Sequence, residues 1–341
     1  MDIHRNYKVS IEQYQKKYKS NHWKKYDLRS EIFKEENLVN FRNNSLSDGL
    51  DDRYDIIEQK KIFNHLIQDV GEKYVYENLN SLNIGNSNYF FKYKDKYVDA
   101  GQNFHIKWLH DIEKLILPNK KINKVCEIGG GYGSFAQKII RKLKCKYVSI
   151  DLPEANFLSS YYLKEHFKNL KFIGNCEISN NILDKKTFDE NDVFILNPWN
   201  KISEIKFDLI INTRSMMEMD KEIIKEYFKF IENNIEDRGF FFNINRYRKK
   251  SVGYPIHFFD YPYDNNWNVV VSKKSWRQNW IHFLLAQRIL GYQSHNKKCD
   301  IKKELLNIRI KTIYFIFKEK ILEITLFFKN IIKNFIKSIN N

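Results

Sequence analysis

Apolar residues recur at spacings of three and four along IEQYQKKYKSNHW (11–23) and YDIIEQKKIFNHLIQDVGEKY (54–74), which predicts two amphipathic helices. Between them FRNNSLSDGLDDRYD (41–55) is polar. It reads either as a solvated connector with helix-capping aspartates or as a lid or acceptor-binding loop. Its acids, Asp48, Asp51, Asp52 and Asp55 around Gly49, lack the ligand order of a calcium loop. The stretch 89–110 is aromatic and mixed, fit to line or brace whatever follows. From there the pattern changes to short continuous apolar runs separated by helical periodicity. KVCEI (124–128), KYVSI (146–150), LKFIG (170–174), DVFIL (192–196), FDLIIN (207–212) and RGFFFNINRY (238–247) read as strands covered on both faces. Residues 155–167 and 219–235 read as helices between them. NVVV (268–271) reads as a further strand and SWRQNWIHFLLAQRI (275–289) as a helix. The alternation predicts a mostly parallel sheet with helices on both faces. A helical N-terminal region (1–120) precedes this α/β domain (121–295), and a helical tail (296–341) follows it.

The first strand ends in VCEIGGGYG (125–133), where Glu127 precedes three consecutive glycines and a helical SFAQKIIRKL. Strand, glycine turn and helix in that order form the nucleotide-cofactor crevice of a Rossmann-like sheet. Glycine lacks Cβ, so backbone amides can approach a ligand. Asp151 follows Gly129 by 22 residues, near the spacing of about 20 at which a second-strand acid meets a ribose diol. Gly131, Gly133 and Ala136 also fit G-x-G-x-x-A, a nicotinamide or flavin pattern, and an NAD-dependent oxidoreductase is one reading. That match sits two residues late, and Glu127 would repel a pyrophosphate. The same carboxylate can meet the cationic amino-acid end of S-adenosylmethionine, directly or through water.

VCEIGGGYG, IDLPE (150–154), FDLIINTRSMMEM (207–219) and NINRY (243–247) together resemble the sugar O-methyltransferases of bacterial polysaccharide and glycosylated-metabolite pathways. The resemblance covers about residues 100–260, extends loosely to FRNNSLSDGLDD, and excludes the tail. It implies a class I methyltransferase fold, S-adenosylmethionine as cofactor and a sugar or glycan hydroxyl as acceptor. By it, Gly129, Gly130 and Gly131 shape the methionine pocket, and Glu127 faces the amino group. Asp151 takes the ribose hydroxyls, Leu152 lies on the adenine, and Asn212 lies near the sulfonium. Two residues compete as the base that deprotonates the acceptor, Glu218 in SMMEM and His257 in YPIHFFDYP. Arg246 and Tyr247 are expected to bind the acceptor. Met216, Met217 and Met219 read as packing, as does His282. Some sugar methyltransferases use a divalent metal; the acids here form no diagnostic ligand set, and metal use stays open. NPWN (197–200) partly matches the Asn-Pro-Pro-aromatic motif of enzymes that methylate amino groups of nucleic acid or protein, the alternative reading.

Composition modifies this picture in two places. The net charge of +16 accompanies abundant Lys, Asn, Ile, Tyr and Phe, a whole-chain bias rather than a nucleic-acid footprint. Nine Lys/Arg against three Glu in residues 301–341, without Gly or Pro, describe a basic amphipathic helix. Such a helix can lie on an anionic membrane, dock on its own domain or mediate oligomerisation. Cys126, Cys145, Cys176 and Cys299 form no C-x-x-C pair, and Cys126 is expected to be buried. The charged MDIHRNYK lacks a secretory pattern, and no apolar run nears the roughly 20 residues of a membrane span. The expectation is a cytoplasmic protein, with the tail as a peripheral contact on the inner membrane face.

Overall fold

The computed structural model describes residues 1–25, 35–43, 55–290 and 300–339. Eight strands form the central sheet: β1 (Lys124–Ile128), β2 (Lys146–Ile150), β3 (Phe172–Gly174), β4 (Val193–Leu196), β5 (Phe207–Thr213), β6 (Ile235–Arg246), β7 (Trp267–Ser275) and β8 (Gln278–Arg288). Their order is β7-β8-β6-β5-β1-β2-β4-β3. All pairings are parallel except those of β8, which runs antiparallel to both β6 and β7. The chain leaves β1 toward β2, β4 and β3, then crosses back to β5 on the other side of β1. That reversal is the topological switch point of a doubly wound, Rossmann-like sheet, and the crevice outside the strand C-termini opens there. β1, β2 and β4 are buried almost throughout, as strands covered on both faces must be.

Each face of the sheet has its own core. On one face, Val125, Tyr147, Leu209 and Phe242 pack with Phe135 and Ile139, and with Tyr7, Phe41, Phe104 and Trp108 from the N-terminal region. The N-terminal helices therefore share the core of the sheet. Helix α1 (Ile3–Glu12) is capped by Asp2, whose carboxylate accepts from Arg5 N at 3.1 Å. It lies on the helix Pro153–His166, with the rings of Tyr7 and Phe157 5.1 Å apart. On the other face, Cys126, Val148, Ile210 and Phe241 pack with the helix Lys221–Asn234 and with Ile301, Leu305 and Ile308 of the tail helix Ile301–Ile339.

Three sequence expectations are corrected. Residues 275–289 form no helix: β8 pairs along its length with β6 and β7. Six consecutive positions of β8, Ile281–Ala286, are buried, and a run buried on both faces carries no alternation to separate strand from helix. The first helix ends at Glu12, two residues into the predicted window 11–23, and the chain beyond it holds 3-10 turns at Lys16–Tyr18 and Trp23–Lys25 instead. The predicted 54–74 helix ends at Val70, because Gly71 has φ 91°, and a second helix, Glu72–Asn78, starts there. Asp55 caps the former, accepting from Ile57 N at 2.7 Å, as the capping reading requires. Asp48, Gly49, Asp51, Asp52 and Cys299 lie outside the described residues. The aromatic 89–110 stretch is a hairpin, Phe90–Tyr93 with Lys96–Asp99, followed by the helix Ala100–Leu115.

Candidate active site

A cavity lies at the C-terminal ends of β1, β2 and β5, with about 1150 Å³ of open space, mouth included. Its floor is Glu127, Gly129, Gly130 and Gly131 after β1, and Asp151 and Leu152 after β2. Thr213, at the end of β5, and Arg214, Ser215 and Glu218 after it line one side.

The glycine turn is shaped from beneath. Gly129 has φ 75°, and a Cβ there would stand 2.0 Å from Ser215 Oγ. A Cβ on Gly130 would meet Glu127 Oε2 at 2.8 Å and Ser149 Oγ at 3.0 Å. The first two glycines are thus required by protein neighbours as well as by any ligand above them. Gly131 has φ 58°, and its N–H donates to Asp151 Oδ2 at 2.8 Å. Asp151 Oδ1 accepts from Leu152 N at 2.7 Å. Burial nevertheless pushes the Asp151 carboxyl up to about 7, against the pull of these two amides. Glu127 is 1% exposed and accepts the Tyr147 hydroxyl at 2.5 Å. Its carboxyl is also pushed up to about 7, mainly by burial. Two carboxyls thus sit in one cavity, poised to ionise when a cation or a set of donors arrives.

Glu218 also lines the cavity. It pairs with Lys249 and has His22 Nε2 at 3.5 Å. Burial holds the Lys249 ammonium below its usual range, and the Glu218 charge opposes that fall. The turn carrying Glu218 is fixed by a buried amide network. Asn212 Nδ2 donates to Ile128 O at 2.8 Å and to Ser215 Oγ at 2.7 Å. Asn245 Nδ2 donates to Asn212 Oδ1 at 2.7 Å, and Asn245 Oδ1 accepts from Met217 N at 3.2 Å.

Four expected site residues lie elsewhere. Asn212 is fully buried and ties β1 to β5 without lining the cavity, because its amide is consumed by the network just described. His257 stacks on Phe259 and pairs with Asp260 at 3.3 Å, outside the cavity. Tyr247 is buried with its hydroxyl 3.0 Å from His282 Nδ1 and its ring on Phe315 of the tail. Arg246 ends β6, with its backbone N–H on Met217 Sδ, and does not line the cavity either. Met216 and Met217 are core, as expected, whereas Met219 lines the cavity.

Several lining residues escaped the sequence reading. Tyr18, Ser20 and Trp23 cover the cavity from the N-terminal segment, and His105, Trp108, Tyr132 and Phe135 form a wall. The segment is pinned by Lys19 to Glu154 at 2.8 Å and by Lys17 and Tyr18 to Glu226, each at 2.9 Å. Single residues in and between 3-10 turns carry no periodicity that could have announced this role. Arg214, with φ 61°, takes a left-handed backbone at the end of β5, a conformation uncommon for a side chain this long.

The NPWN turn follows β4, which β2 separates from β1. Asn197 is occupied: its Nδ2 donates to Ser10 Oγ at 2.9 Å, and its Oδ1 accepts from Asn156 at 3.2 Å. Only Pro198 of the motif faces the cavity. No group of three or more His, Cys, Asp or Glu among the described residues could hold a metal ion. No helix among them is long and apolar enough to cross a membrane.

No family model matches the chain, and no curated protein does. Among solved structures, the chain is similar to a methyltransferase from Pyrococcus furiosus, at 11% identity and TM-score 0.39, over 68% of this chain and 99% of that one. It is similar to magnesium protoporphyrin IX methyltransferase from Synechocystis PCC 6803 with bound S-adenosylmethionine, at 12% identity and TM-score 0.38, over 67% and 97%. An O-methyltransferase family protein from Burkholderia thailandensis is matched at 12% identity and TM-score 0.35, over 57% of this chain and 60% of that one.

Proposed function

We propose that the protein is an S-adenosylmethionine-dependent O-methyltransferase whose acceptor is a hydroxyl of a sugar, in a polysaccharide, glycolipid or glycosylated metabolite. The observation that carries the reading is the pair of carboxyls, buried Glu127 and half-buried Asp151, in one cavity at the switch point. The donor set fits a cationic amino acid joined to a nucleoside. Glu127 would face the ammonium, Asp151 the ribose hydroxyls, and Leu152 and Pro198 the base. Bound there, the cofactor would supply an electrophilic methyl carbon. A dinucleotide fits less well, because Glu127, beside the glycine turn, would repel its pyrophosphate.

The chain's own part is to position the acceptor and to take its proton. Glu218 is the cavity acid not needed by the cofactor, held by Lys249 and the nearby His22. A sugar hydroxyl is weakly acidic, so a positioned base contributes about 10²–10⁴-fold. The N-terminal cover of Tyr18 and Trp23 would keep water from the reacting groups. Amino-group methylation is disfavoured, because Asn197 spends its amide on Ser10 and Asn156.

Calorimetry with S-adenosylmethionine and with NAD tests the cofactor, and labelled methyl transfer to nucleotide-sugar and glycan fractions tests the acceptor. Binding of the first cofactor and label in sugar support the reading. Tight NAD binding without S-adenosylmethionine binding defeats it.

A further inference from the structure

The tail helix has two apolar faces, and the body of the protein uses one of them. Ile301, Leu305, Ile308 and Thr312 are buried against the sheet and its connections. Phe315 continues that face against Tyr247, 5.2 Å between rings. The docking is specific: Glu304 accepts from Ser272 Oγ, and Lys302 Nζ donates to Tyr263 O at 2.6 Å. At 3.6 residues per turn, a second row falls on the opposite side: Leu306, Ile310, Ile313, Tyr314, Phe317 and Ile321. These residues are exposed; Ile310, Tyr314 and Phe317 keep 60%, 62% and 64% of their surface. Six large apolar residues in one continuous row form a patch that an isolated soluble surface rarely carries.

The charges beside this row decide what covers it. By helical position, Arg309 and Lys320 border it on one side, and Lys311 and Lys318 on the other, while Lys302 is spent on Tyr263 O. Among the residues of 301–321 whose side chains are described, Glu304 is the one acid, and it faces the body. An apolar stripe between two basic edges matches a bilayer, where the stripe enters the acyl boundary and the long cationic side chains reach back to anionic headgroups. A second copy packed face to face would instead set basic edge against basic edge.

We propose that this free face binds the protein reversibly to an anionic lipid bilayer. The proposal does not rest on the catalytic reading, because the face lies on the tail and none of its residues lines the cavity. The full-length protein should co-sediment with phosphatidylcholine vesicles containing phosphatidylglycerol, and far less with phosphatidylcholine alone. Lys318→Glu with Lys320→Glu should weaken binding strongly, since each basic residue near such a surface is worth about fivefold. Ile313→Asp with Phe317→Asp should weaken it at least as much while circular dichroism stays unchanged, because these side chains are exposed and lie on the face turned from the body. Binding that both double variants retain overturns the proposal. So does a concentration-dependent dimer, seen by light scattering, that Ile313→Asp with Phe317→Asp dissolves while the parent protein ignores the vesicles.

Discussion

The carboxylate of Asp151 spans the crevice it was expected only to border: Oδ2 takes the N–H of Gly131, 20 residues back, at 2.8 Å. The acid at the end of β2 therefore holds the glycine turn after β1 while presenting itself to the cavity. Its other oxygen takes Leu152 N, so both oxygens act as acceptors. Asparagine cannot reproduce this, because one position becomes an NH₂ group aimed at a backbone N–H. Asp151→Asn should therefore be nearly as harmful as Asp151→Ala, each weakening S-adenosylmethionine more than tenfold by calorimetry. An Asn variant with parent affinity would show that the turn does not depend on the carboxylate.

Glu127 yields a prediction in which stability and binding move in opposite directions. Its carboxyl stands at about 7 in the folded protein against an ordinary 4.5. A raised acid costs stability progressively as pH climbs from the unfolded value to the folded one, and the cost is constant above that. Glu127→Gln keeps an acceptor for the Tyr147 hydroxyl and removes the cost. The variant should be more stable than the parent at pH 7.5, by about 1–3 kcal/mol, and equal to it near pH 4. Its affinity for S-adenosylmethionine should fall. Parent affinity should itself rise from pH 6 to pH 8, by about tenfold for each of Glu127 and Asp151 that must ionise on binding. Melting curves and calorimetry across pH read both effects.

The sheet and its glycine turn were legible because their signals are local: β-branched runs, a turn without Cβ atoms, and a carboxylate at each of two strand ends. Glu127, the three glycines, Asp151 and Leu152 accordingly meet in one cavity. What failed depended on register and on distant partners. β8 is buried on both faces, so its composition could not distinguish strand from helix. Asn212 ends the expected strand, but its orientation depends on Asn245, 33 residues away. Nothing near Tyr247 in sequence shows that His282 and Phe315 enclose it.

The two base candidates are now separable. Glu218 lines the cavity, and His257 does not. Glu218→Gln should lower kcat by about 10²–10⁴-fold and leave S-adenosylmethionine affinity within about twofold. His257→Ala should change neither by more than about twofold, since what it loses, a half-exposed pair with Asp260 and a stack on Phe259, lies outside the cavity. Single-turnover methyl transfer with both variants checks the assignment; a strong effect of His257→Ala alone would reverse it.

The cover over the cavity hangs on a buried ion pair. Lys19 and Glu154 are 2.8 Å apart, with side chains 7% and 8% exposed. Removing one partner of such a pair leaves an uncompensated buried charge, a penalty of about 3–5 kcal/mol, whereas removing both is far milder. The neighbouring Tyr18 and Ser20 line the cavity, so the penalty falls on the element that closes it. The 16–25 segment is also tied by Lys17 and Tyr18 to Glu226, by His22 beside Glu218 and by Tyr18 against Trp199, but these ties lie nearer the surface, and it can open while the sheet stays folded. Lys19→Met should thus lower the melting temperature modestly but raise hydrogen exchange in residues 16–25 by on the order of 100-fold, and speed cofactor release. Lys19→Met with Glu154→Gln should recover most of the protection. Exchange mass spectrometry on the parent, the single and the double variant decides it. A single variant that exchanges like the parent would place the hold on the cover with Lys17, Tyr18 and Glu226 instead.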